Sequence, residues 1–192
     1  MRNLNSIAVY CGSSRGHDPR FSDAAKLVGR TFAERNIELV YGAGNVGLMG
    51  DTADALLAAG GKVCGVIPEF LQAWEVGHTG LTELIVTETM HQRKQIMVDR
   101  SDGFLILPGG YGTLDELFEI LTWGQLRLHE KPVGLLNIGG YYDFLLQHIQ
   151  NIADAGFMQS ANLKLLSSDD DLEMLLDKME NFVQPAADKW VK

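Results

Sequence analysis

Short apolar runs alternate along this chain with longer stretches in which apolar residues recur every three or four positions. Short continuous apolar runs are typical of strands that are buried on both faces. The longer stretches have the period of amphipathic helices. Strands that alternate with helices of this length predict an α/β fold, a Rossmann-like, doubly wound parallel sheet with helices on both faces. A length of 192 residues fits a single domain over residues 1–192.

Six apolar runs are predicted strands, namely Ser6–Tyr10, Glu38–Tyr41, Lys62–Ile67, Leu84–Val86, Phe104–Leu107 and Val133–Leu136. Predicted helices cover Pro19–Arg35, Leu48–Ala59, Met90–Arg100, a segment from Leu114 onward, Tyr142–Ala155 and Asp171–Phe182. Residues 69–80 show no clean period and are predicted to be a loop with room for a short helix. Three glycine-rich turns follow strands. Ligands of doubly wound sheets bind at the carboxyl ends of the strands, so we expect these turns around one crevice.

The formal net charge of −9 argues against a nucleic-acid polymer or an acidic membrane as partner, because both require a basic surface. An anionic ligand must then be held by a local arrangement of donors. The two cysteines, Cys11 and Cys64, fall at or in predicted buried strands and cannot form a disulfide framework. The N-terminus shows no signal peptide, and no apolar run reaches membrane-spanning length. We therefore expect a cytoplasmic protein.

The third glycine turn, Pro108–Gly112, follows a buried strand and precedes a predicted helix. A glycine turn at a helix N-terminus forms an anion site from backbone N–H groups and the helix dipole. Thr113 is the expected N-cap residue, and the segment Thr113–Glu116 matches a capping box. Glu116 then has two interpretations, a structural cap or a chemical group beside the anion, and the motif alone does not separate them.

Two other glycine motifs have familiar catalytic or cofactor counterparts. Gly42–Gly47 matches G-x-G-x-x-G, but a dinucleotide fingerprint normally follows the first strand and needs an acid at the end of the next. Gly12–Gly16 matches G-x-S-x-G, but the next helix begins too late for a nucleophile elbow. We expect Ser13 and Ser14 to hydrogen-bond a phosphate or ribose instead. The sequence shows no metal-ligand spacing and no P-loop lysine.

A second capping box, Thr89–Gln92, places Arg93 and Lys94 in the first turns of their helix. Cations at that end oppose the helix dipole by roughly 0.3–1 kcal/mol each. Their position therefore suggests an anion nearby, and the pattern favours a small molecule that carries a phosphate.

The segment Pro108–Glu116, PGGYGTLDE, resembles the PGGxGTxxE signature of the LOG ("Lonely Guy") family. Met90–Lys94 resembles its M-x-x-R-K element, and Cys11–Ser14 and Gly42–Gly50 resemble its earlier glycine turns. The resemblance covers residues 7–182. It implies a nucleotide-binding Rossmann-like domain that acts as a cytokinin riboside 5′-monophosphate phosphoribohydrolase. Such an enzyme hydrolyses AMP or N6-substituted AMP to free base and ribose 5-phosphate, and some members were formerly labelled lysine decarboxylases.

Carried over by position, the resemblance implies that Arg93 and Glu116 are catalytic. Glu116 would act as general base or ion-pair stabiliser at the ribose. The implied substrate-binding residues are Ser13, Gly44, Glu75, Met90, Lys94, Gly109, Gly110, Gly112, Thr113 and Thr122. The resemblance also implies a homodimer, a nucleoside 5′-monophosphate as ligand, and neither a cofactor nor a metal.

Two other functions remain open from the sequence. A non-catalytic module could use the same loops to sense or carry a nucleotide, and it would bind AMP without releasing adenine. An NAD-dependent oxidoreductase would bind a nicotinamide cofactor.

Overall fold

Within residues 2–72 and 77–186, which the computed structural model describes, seven parallel strands form one sheet. The strands are β1 (Ser6–Tyr10), β2 (Glu38–Tyr41), β3 (Val63–Pro68), β4 (Glu83–Thr87), β5 (Gly103–Ile106), β6 (Val133–Leu136) and β7 (Leu166–Asp169). The α-helices are α1 (Pro19–Arg35), α2 (Gly47–Ala58), α3 (Glu69–Gln72), α4 (Met90–Asp99), α5 (Tyr111–Gln125), α6 (Asp143–Asp154) and α7 (Leu172–Glu180). Short 3-10 helices cover Ile138–Gly140 and Ser160–Leu165.

The strand order is β4-β3-β2-β1-β5-β6-β7, with every neighbouring pair parallel. The chain runs outward from β1 to β4, crosses back to pair β5 with β1, and then continues to β7. The switch point of this doubly wound sheet therefore lies between β1 and β5, where the two loops leave in opposite directions. The predicted fold class is confirmed.

Alternate residues of the central strands feed two separate cores, one on each face of the sheet. Ile7 and Val9 of β1 point into the core that packs against α1, α2 and α7. Ala8 and Tyr10 point into the core that packs against α4 and α5. All five residues of β1 are buried, which explains why the strand reads as a continuous apolar run.

Local capping fixes the ends of the helices that approach the switch point. Asp18 caps α1 by accepting a hydrogen bond from Arg20 N, and α1 ends where Asn36 adopts a left-handed φ of 56°. The predicted capping box at α4 is confirmed, because Thr89 and Gln92 exchange side-chain and backbone hydrogen bonds. This box sets the start of α4 and hence the direction of its first turns.

Most of the predicted elements are confirmed, with bounds that differ by one or two residues. Two predictions were wrong or incomplete. Helix α5 begins at Tyr111 and not after Thr113, since its N-cap residue is Gly110. Strand β7 was not predicted, because its sequence, Leu-Ser-Ser-Asp, is polar and only half-buried. In the part of the chain that the structure describes, no helix is both long and apolar enough to cross a membrane.

Candidate active site

The turns after β1, β2 and β5 are joined by backbone hydrogen bonds at the switch point. Gly12 N donates to Pro108 O over 3.0 Å, which links the β1 and β5 turns. Leu48 N donates to Gly12 O over 3.0 Å, which adds the start of α2. The three turns therefore lie together, as expected. Residues of the first and third turns line one cleft, whereas the second segment reaches that cleft only through Met49 of α2.

Two glycines make this junction sterically possible. A Cβ on Gly109 would lie 2.1 Å from Thr113 Oγ1 and 2.9 Å from Gly12 N. Gly47 has a φ of 65°, and a Cβ there would lie 2.2 Å from the carbonyl carbon of Ser13. Both positions therefore require glycine for the packing of the turns against one another.

An ion pair supports the β1 turn from α2. Asp51 is buried, with 4% of its side chain exposed, and it accepts hydrogen bonds from Arg15 at 2.6–3.1 Å and from Ser22 Oγ at 2.7 Å. The Arg15 hydrogen bonds hold the pKa of Asp51 below its usual range. The Arg15–Asp51 ion pair thus supports the turn that carries Ser13.

The first turn of α5 has free backbone donors where the capping box was predicted. Gly110 is the N-cap residue, no side chain caps it, and Leu114 N donates to Gly110 O over 3.1 Å. Thr113 is therefore the third helical residue, and Glu116 lies in the second turn, so the predicted Thr113–Glu116 capping box was wrong. The amides of the first turn have no partner within the helix. Glu116 is not engaged as a cap.

A cleft of about 280 Å³ lies above this helix start. Seven of the predicted site residues line it, namely Ser13, Met90, Arg93, Gly110, Gly112, Thr113 and Glu116. Five other residues that line the cleft were not predicted individually from the sequence, namely Cys11, Gly12, Met49, Tyr111 and Asp115. All five lie within the recognised motifs, but which of these residues face the cleft depends on the tertiary fold.

Arg93 and Glu116 face each other across the cleft with very little access to water. Arg93 Nη2 lies 3.7 Å from Glu116 Oε1, and each side chain is only 11% exposed. This separation is beyond hydrogen-bond length, so the charges interact without a direct hydrogen bond. A Cβ on Gly42 would lie 2.1 Å from Arg93 Nη2, which shows that the second glycine turn leaves space for the guanidinium. The need to accommodate the Arg93 side chain therefore explains why residue 42 is a glycine.

Burial raises the pKa of Glu116 to about 7 from the ordinary 4.5. The positive charges of Arg93 and Lys94 act in the opposite direction, and the negative charges of Asp115 and Glu119 add to the rise. A carboxyl with this pKa exchanges a proton near neutral pH, as a general base or acid must.

Lys94 lies against carboxylates of α5 rather than at a free anion site. Its Nζ is 2.6 Å from Asp115 Oδ2 and 3.3 Å from Glu119 Oε2. Burial alone would lower the pKa of Lys94, but the hydrogen bond with Asp115 and the charge of Glu119 outweigh burial and raise it. The cations at the start of α4 are thus explained in part by protein carboxylates.

Three further predicted residues that the structure describes, Gly109, Gly44 and Thr122, do not line the cleft. Gly109 lines the adjoining pocket on the α1 side of the junction. Gly44 is buried in the second turn and forms an isolated antiparallel bridge with Gly77. Thr122 is exposed further along α5, where its hydroxyl donates to Phe118 O over 2.7 Å. Glu75 lies outside the described residues.

Other chemistries find little support in the part of the chain that the structure covers. No group of three or more His, Cys, Asp or Glu side chains in residues 2–72 and 77–186 is arranged to hold a metal ion. Cys11 lines the cleft, but burial raises the pKa of its thiol far above the usual range. A thiol of this kind is a poor nucleophile at neutral pH.

Comparison with known proteins identifies a matching family model and related sequences. A family model described as "Possible lysine decarboxylase" matches residues 49–179. Cytokinin riboside 5′-monophosphate phosphoribohydrolase LOG2 of Arabidopsis thaliana is 45% identical over 185 residues, covering 96% of this chain and 86% of the relative. Its counterpart LOG1, also of Arabidopsis thaliana, is 44% identical over 177 residues, covering 92% of this chain and 83% of the relative.

A solved structure is similar in fold. The molybdenum cofactor binding protein from the phototrophic bacterium Rippkaea orientalis matches with a TM-score of 0.61 and 26% identity. The match covers 79% of this chain and 86% of that chain.

The raised pKa of Glu116 predicts a pH-dependent stability. Between pH 4.5 and 7 the folded protein keeps the Glu116 proton that the unfolded chain releases, so stability falls as pH rises. At about 1.4 kcal/mol per pKa unit, replacing Glu116 by Gln should remove a penalty of about 2–3 kcal/mol at pH 8 relative to pH 5. Urea unfolding of both proteins at the two pH values measures this difference.

Glu130→Gln removes the same charge at an exposed position and should show no such change between the two pH values. If wild type and Glu116→Gln lose stability in parallel from pH 5 to pH 8, the carboxyl titrates at its ordinary value.

Proposed function

The chain belongs to the LOG family of cytokinin riboside 5′-monophosphate phosphoribohydrolases, and from this membership we propose its reaction. We propose that it hydrolyses the N-glycosidic bond of AMP or an N6-substituted AMP. The products are the free base and ribose 5-phosphate. The observation that carries this proposal is a buried carboxyl with a pKa of about 7, Glu116, one helical turn beyond a set of free backbone amides.

The start of α5 suits the phosphate of such a substrate. Gly110 precedes the uncapped first turn, and its backbone and that of Gly112 line the cleft. A Cβ added at Gly110 or Gly112 would meet no protein atom within 4 Å, so the absent side chains leave open space for a ligand. Backbone amides and the helix dipole bind an anion without any net positive charge on the protein. This agrees with a chain whose net charge is −9.

Glu116 is placed to act on the sugar. Cleavage of an N-glycosidic bond develops positive charge on the ribose ring, and a nearby carboxylate stabilises that charge or activates the attacking water. The phosphate bound at the helix start orients the ribose against this carboxylate. The binding energy of the phosphate thereby lowers the barrier to cleavage of the glycosidic bond. Glu116 lies in the second turn of the helix whose first turn holds the phosphate in this proposal, so one rigid element positions both groups.

Arg93 keeps Glu116 ionisable. Burial alone would raise the pKa of Glu116 further, and the positive charge of Arg93 opposes that rise more than any other group does. The Arg93 Nε is buried and finds no hydrogen-bond partner among the described residues. The guanidinium therefore has donor capacity left for a ribose hydroxyl or a water. We also propose that Ser13, Met90, Gly109 and Thr113 bind the nucleotide, because each of them lines this cleft or the adjoining pocket.

The decarboxylase description of the family model fits these residues poorly. Pyridoxal-phosphate decarboxylases need a lysine amine that is free to bond to the cofactor. Lys94 is the lysine on the first turns of α4, and contacts with Asp115 and Glu119 raise its pKa and hold it protonated. Lys94 then contributes to the site by fixing α5 carboxylates beside Glu116.

A non-catalytic nucleotide carrier is the second candidate. The molybdenum cofactor binding protein from Rippkaea orientalis has a similar fold, and one fold can serve different functions. A carrier needs the glycine turns and the helix start but gains nothing from a carboxyl with a pKa near neutrality.

We propose further that the chain forms a homodimer through an apolar groove on α5 and α6. The groove encloses about 190 Å³, and its exposed aromatic residues are Phe118, 40% exposed, and Phe157, 88% exposed. Thr122 lies in the same groove, so it would face the partner subunit rather than its own cleft. Free cysteines at Cys11 and Cys64 fit the proposed cytoplasmic location.

Incubation of the protein with AMP tests the reaction directly. Chromatography should detect adenine and ribose 5-phosphate from wild type. Glu116→Gln should bind AMP with similar affinity and lose turnover by roughly 10²–10⁴-fold, because it removes the group that acts in the transition state. Saturable AMP binding by wild type without adenine would establish the carrier instead.

The matched control for that loss is Glu130→Gln, which should keep the wild-type rate. A Glu116→Gln protein that is folded and turns over at a near-native rate would contradict the assignment of Glu116.

The influence of Arg93 should be visible in the pH dependence of kcat/KM. If ionised Glu116 is the active form, kcat/KM rises with pH through about 7 and then levels off. Arg93→Gln removes the charge that lowers the pKa of Glu116, so this rise should move to higher pH and activity at pH 7 should fall. Arg100→Gln, at the opposite end of α4, should leave the profile in place. An Arg93→Gln profile that rises at the wild-type pH would show that Arg93 does not tune this carboxyl.

Light scattering with size exclusion tests the dimer. Phe157→Asp, alone or with Phe118→Asp, introduces a charge into the apolar groove and should convert the dimer to a monomer. Leu27→Asp places the same charge on α1, on the opposite face of the sheet, and should leave the mass unchanged. A groove variant that keeps the wild-type mass would show that the interface lies elsewhere. A monomeric wild type would show that the chain does not form a dimer.

A further inference from the structure

Three successive carbonyl oxygens of the β5 turn are each held by one donor from another part of the chain. Tyr142 Oη donates to Leu107 O over 2.7 Å, Gly12 N donates to Pro108 O over 3.0 Å, and Tyr141 Oη donates to Gly109 O over 2.7 Å. The two tyrosines are adjacent in sequence and follow β6, more than thirty residues after the turn they contact. Neither tyrosine belongs to a recognised motif.

Holding a carbonyl oxygen also fixes the following N–H group. The peptide unit is planar and trans, so the C=O of one residue and the N–H of the next point in opposite directions. The hydrogen bond from Tyr141 to Gly109 O therefore directs the amide of Gly110 away from the tyrosine. The bond from Gly12 N to Pro108 O likewise sets the direction of the amide of Gly109. These are amides of the turn that precedes the first turn of α5.

The glycine turn itself has little to hold these directions. Gly109 and Gly110 have no side chains, and Gly110 N-caps α5 without any side-chain hydrogen bond. Glycine has the widest choice of backbone conformations, so an unrestrained turn would lose its amide geometry to rotation. External donors are the means by which this turn can be preorganised.

The two tyrosines are themselves held in place by their surroundings. Asn137 Oδ1 accepts a hydrogen bond from Tyr142 N over 2.7 Å, which anchors the segment. The rings of Tyr141 and Tyr142 pack edge-to-face with centroids 4.7 Å apart, and Phe21 of α1 packs edge-to-face on Tyr141 at 5.4 Å. Tyr142 is 3% exposed, whereas Tyr141 is 44% exposed and lines the pocket next to Ser13. The two tyrosines thus extend from the core that packs against α4 and α5 to the open pocket next to Ser13.

We propose that Tyr141 is a positioning residue for substrate binding, which acts by fixing Gly109 O so that the amide of Gly110 points at the substrate phosphate. Tyr142 supports the same turn without aiming an amide, because the residue after Leu107 is Pro108, which has no N–H group. The inference rests on the proposed function for the identity of the anion. A purely structural role would not depend on whether the ligand carries a phosphate.

The test compares two ligands that differ in the phosphate. Calorimetry measures the Kd of ribose 5-phosphate and of adenosine for wild type, Tyr141→Phe and Tyr142→Phe, and the same proteins are assayed for kcat and KM with AMP. Each variant loses one hydroxyl and keeps its ring. Tyr141→Phe should weaken ribose 5-phosphate binding about five- to tenfold, the effect of one lost hydrogen bond, and leave adenosine binding unchanged. KM for AMP should rise by a similar factor, with a smaller change in kcat.

Tyr142→Phe leaves a buried carbonyl without its donor and is expected to lower Tm as well, whereas the half-exposed Tyr141 variant should keep Tm within a few degrees. Phe144→Leu is the control in the same segment, since its ring is 90% exposed, and both Kd values should match wild type. Equal losses for ribose 5-phosphate and adenosine in Tyr141→Phe, or no loss for either, would overturn the proposal.

The outcomes also separate this proposal from the proposed reaction. A wild-type protein that binds ribose 5-phosphate but releases no adenine from AMP would refute the hydrolase and still allow the role of Tyr141 to be judged from the Kd values. A wild-type protein with no affinity for ribose 5-phosphate would overturn the positioning role itself.

Discussion

The close approach of the β1 and β5 turns constrains everything else in the site. The turns leave the sheet on opposite sides of the switch point, and the hydrogen bond from Gly12 N to Pro108 O holds them together. Gly109 allows this contact because it has no Cβ. Once the turns are joined, the first turn of α5 faces the cleft with free amides, and Glu116 follows one turn later on the same helix. The geometry of the site is thus a property of the backbone, which side chains then support.

Charge in the cleft is governed by burial, with pairing as a correction to it. Two cations of α4, Arg93 and Lys94, lie opposite the α5 carboxylates of Asp115, Glu116 and Glu119. Lys94 lies within hydrogen-bond distance of the Asp115 and Glu119 carboxylates, whereas Glu116 makes only a longer contact with Arg93. Burial is the largest single influence on both pKa values. It raises the pKa of Glu116 against the opposing cations, whereas for Lys94 the contacts with Asp115 and Glu119 together outweigh burial and raise the pKa. The cluster thereby contains one carboxyl, Glu116, whose pKa burial raises to about 7.

The sequence predicted the sheet well because burial on both faces leaves a clear signal. The bounds of β1, α1, β2 and β6 were correct as predicted. Strand β7 was not predicted, because an edge strand of half-buried polar residues has no apolar run. The site was predictable where motifs name residues, such as Arg93 and Glu116, and not where distant segments meet. The carboxylate partners of Lys94 belong to another helix, and the hydroxyl contacts of the tyrosines after β6 cross more than thirty residues.

The wrong prediction at α5 has the largest chemical consequence. A Glu116 that capped the helix would accept hydrogen bonds from backbone amides, which stabilise the carboxylate and lower its pKa. Such a group would be fully ionised at neutral pH and tied to the backbone. The actual helix starts earlier, at Tyr111, so Glu116 moves into the second turn, where burial raises its pKa to about 7 and no cap engages it. Structural capping and catalysis, which the motif left as alternatives, are therefore incompatible here. The residue count from the helix start excludes the cap, and a chemical role for Glu116 is the interpretation that we propose.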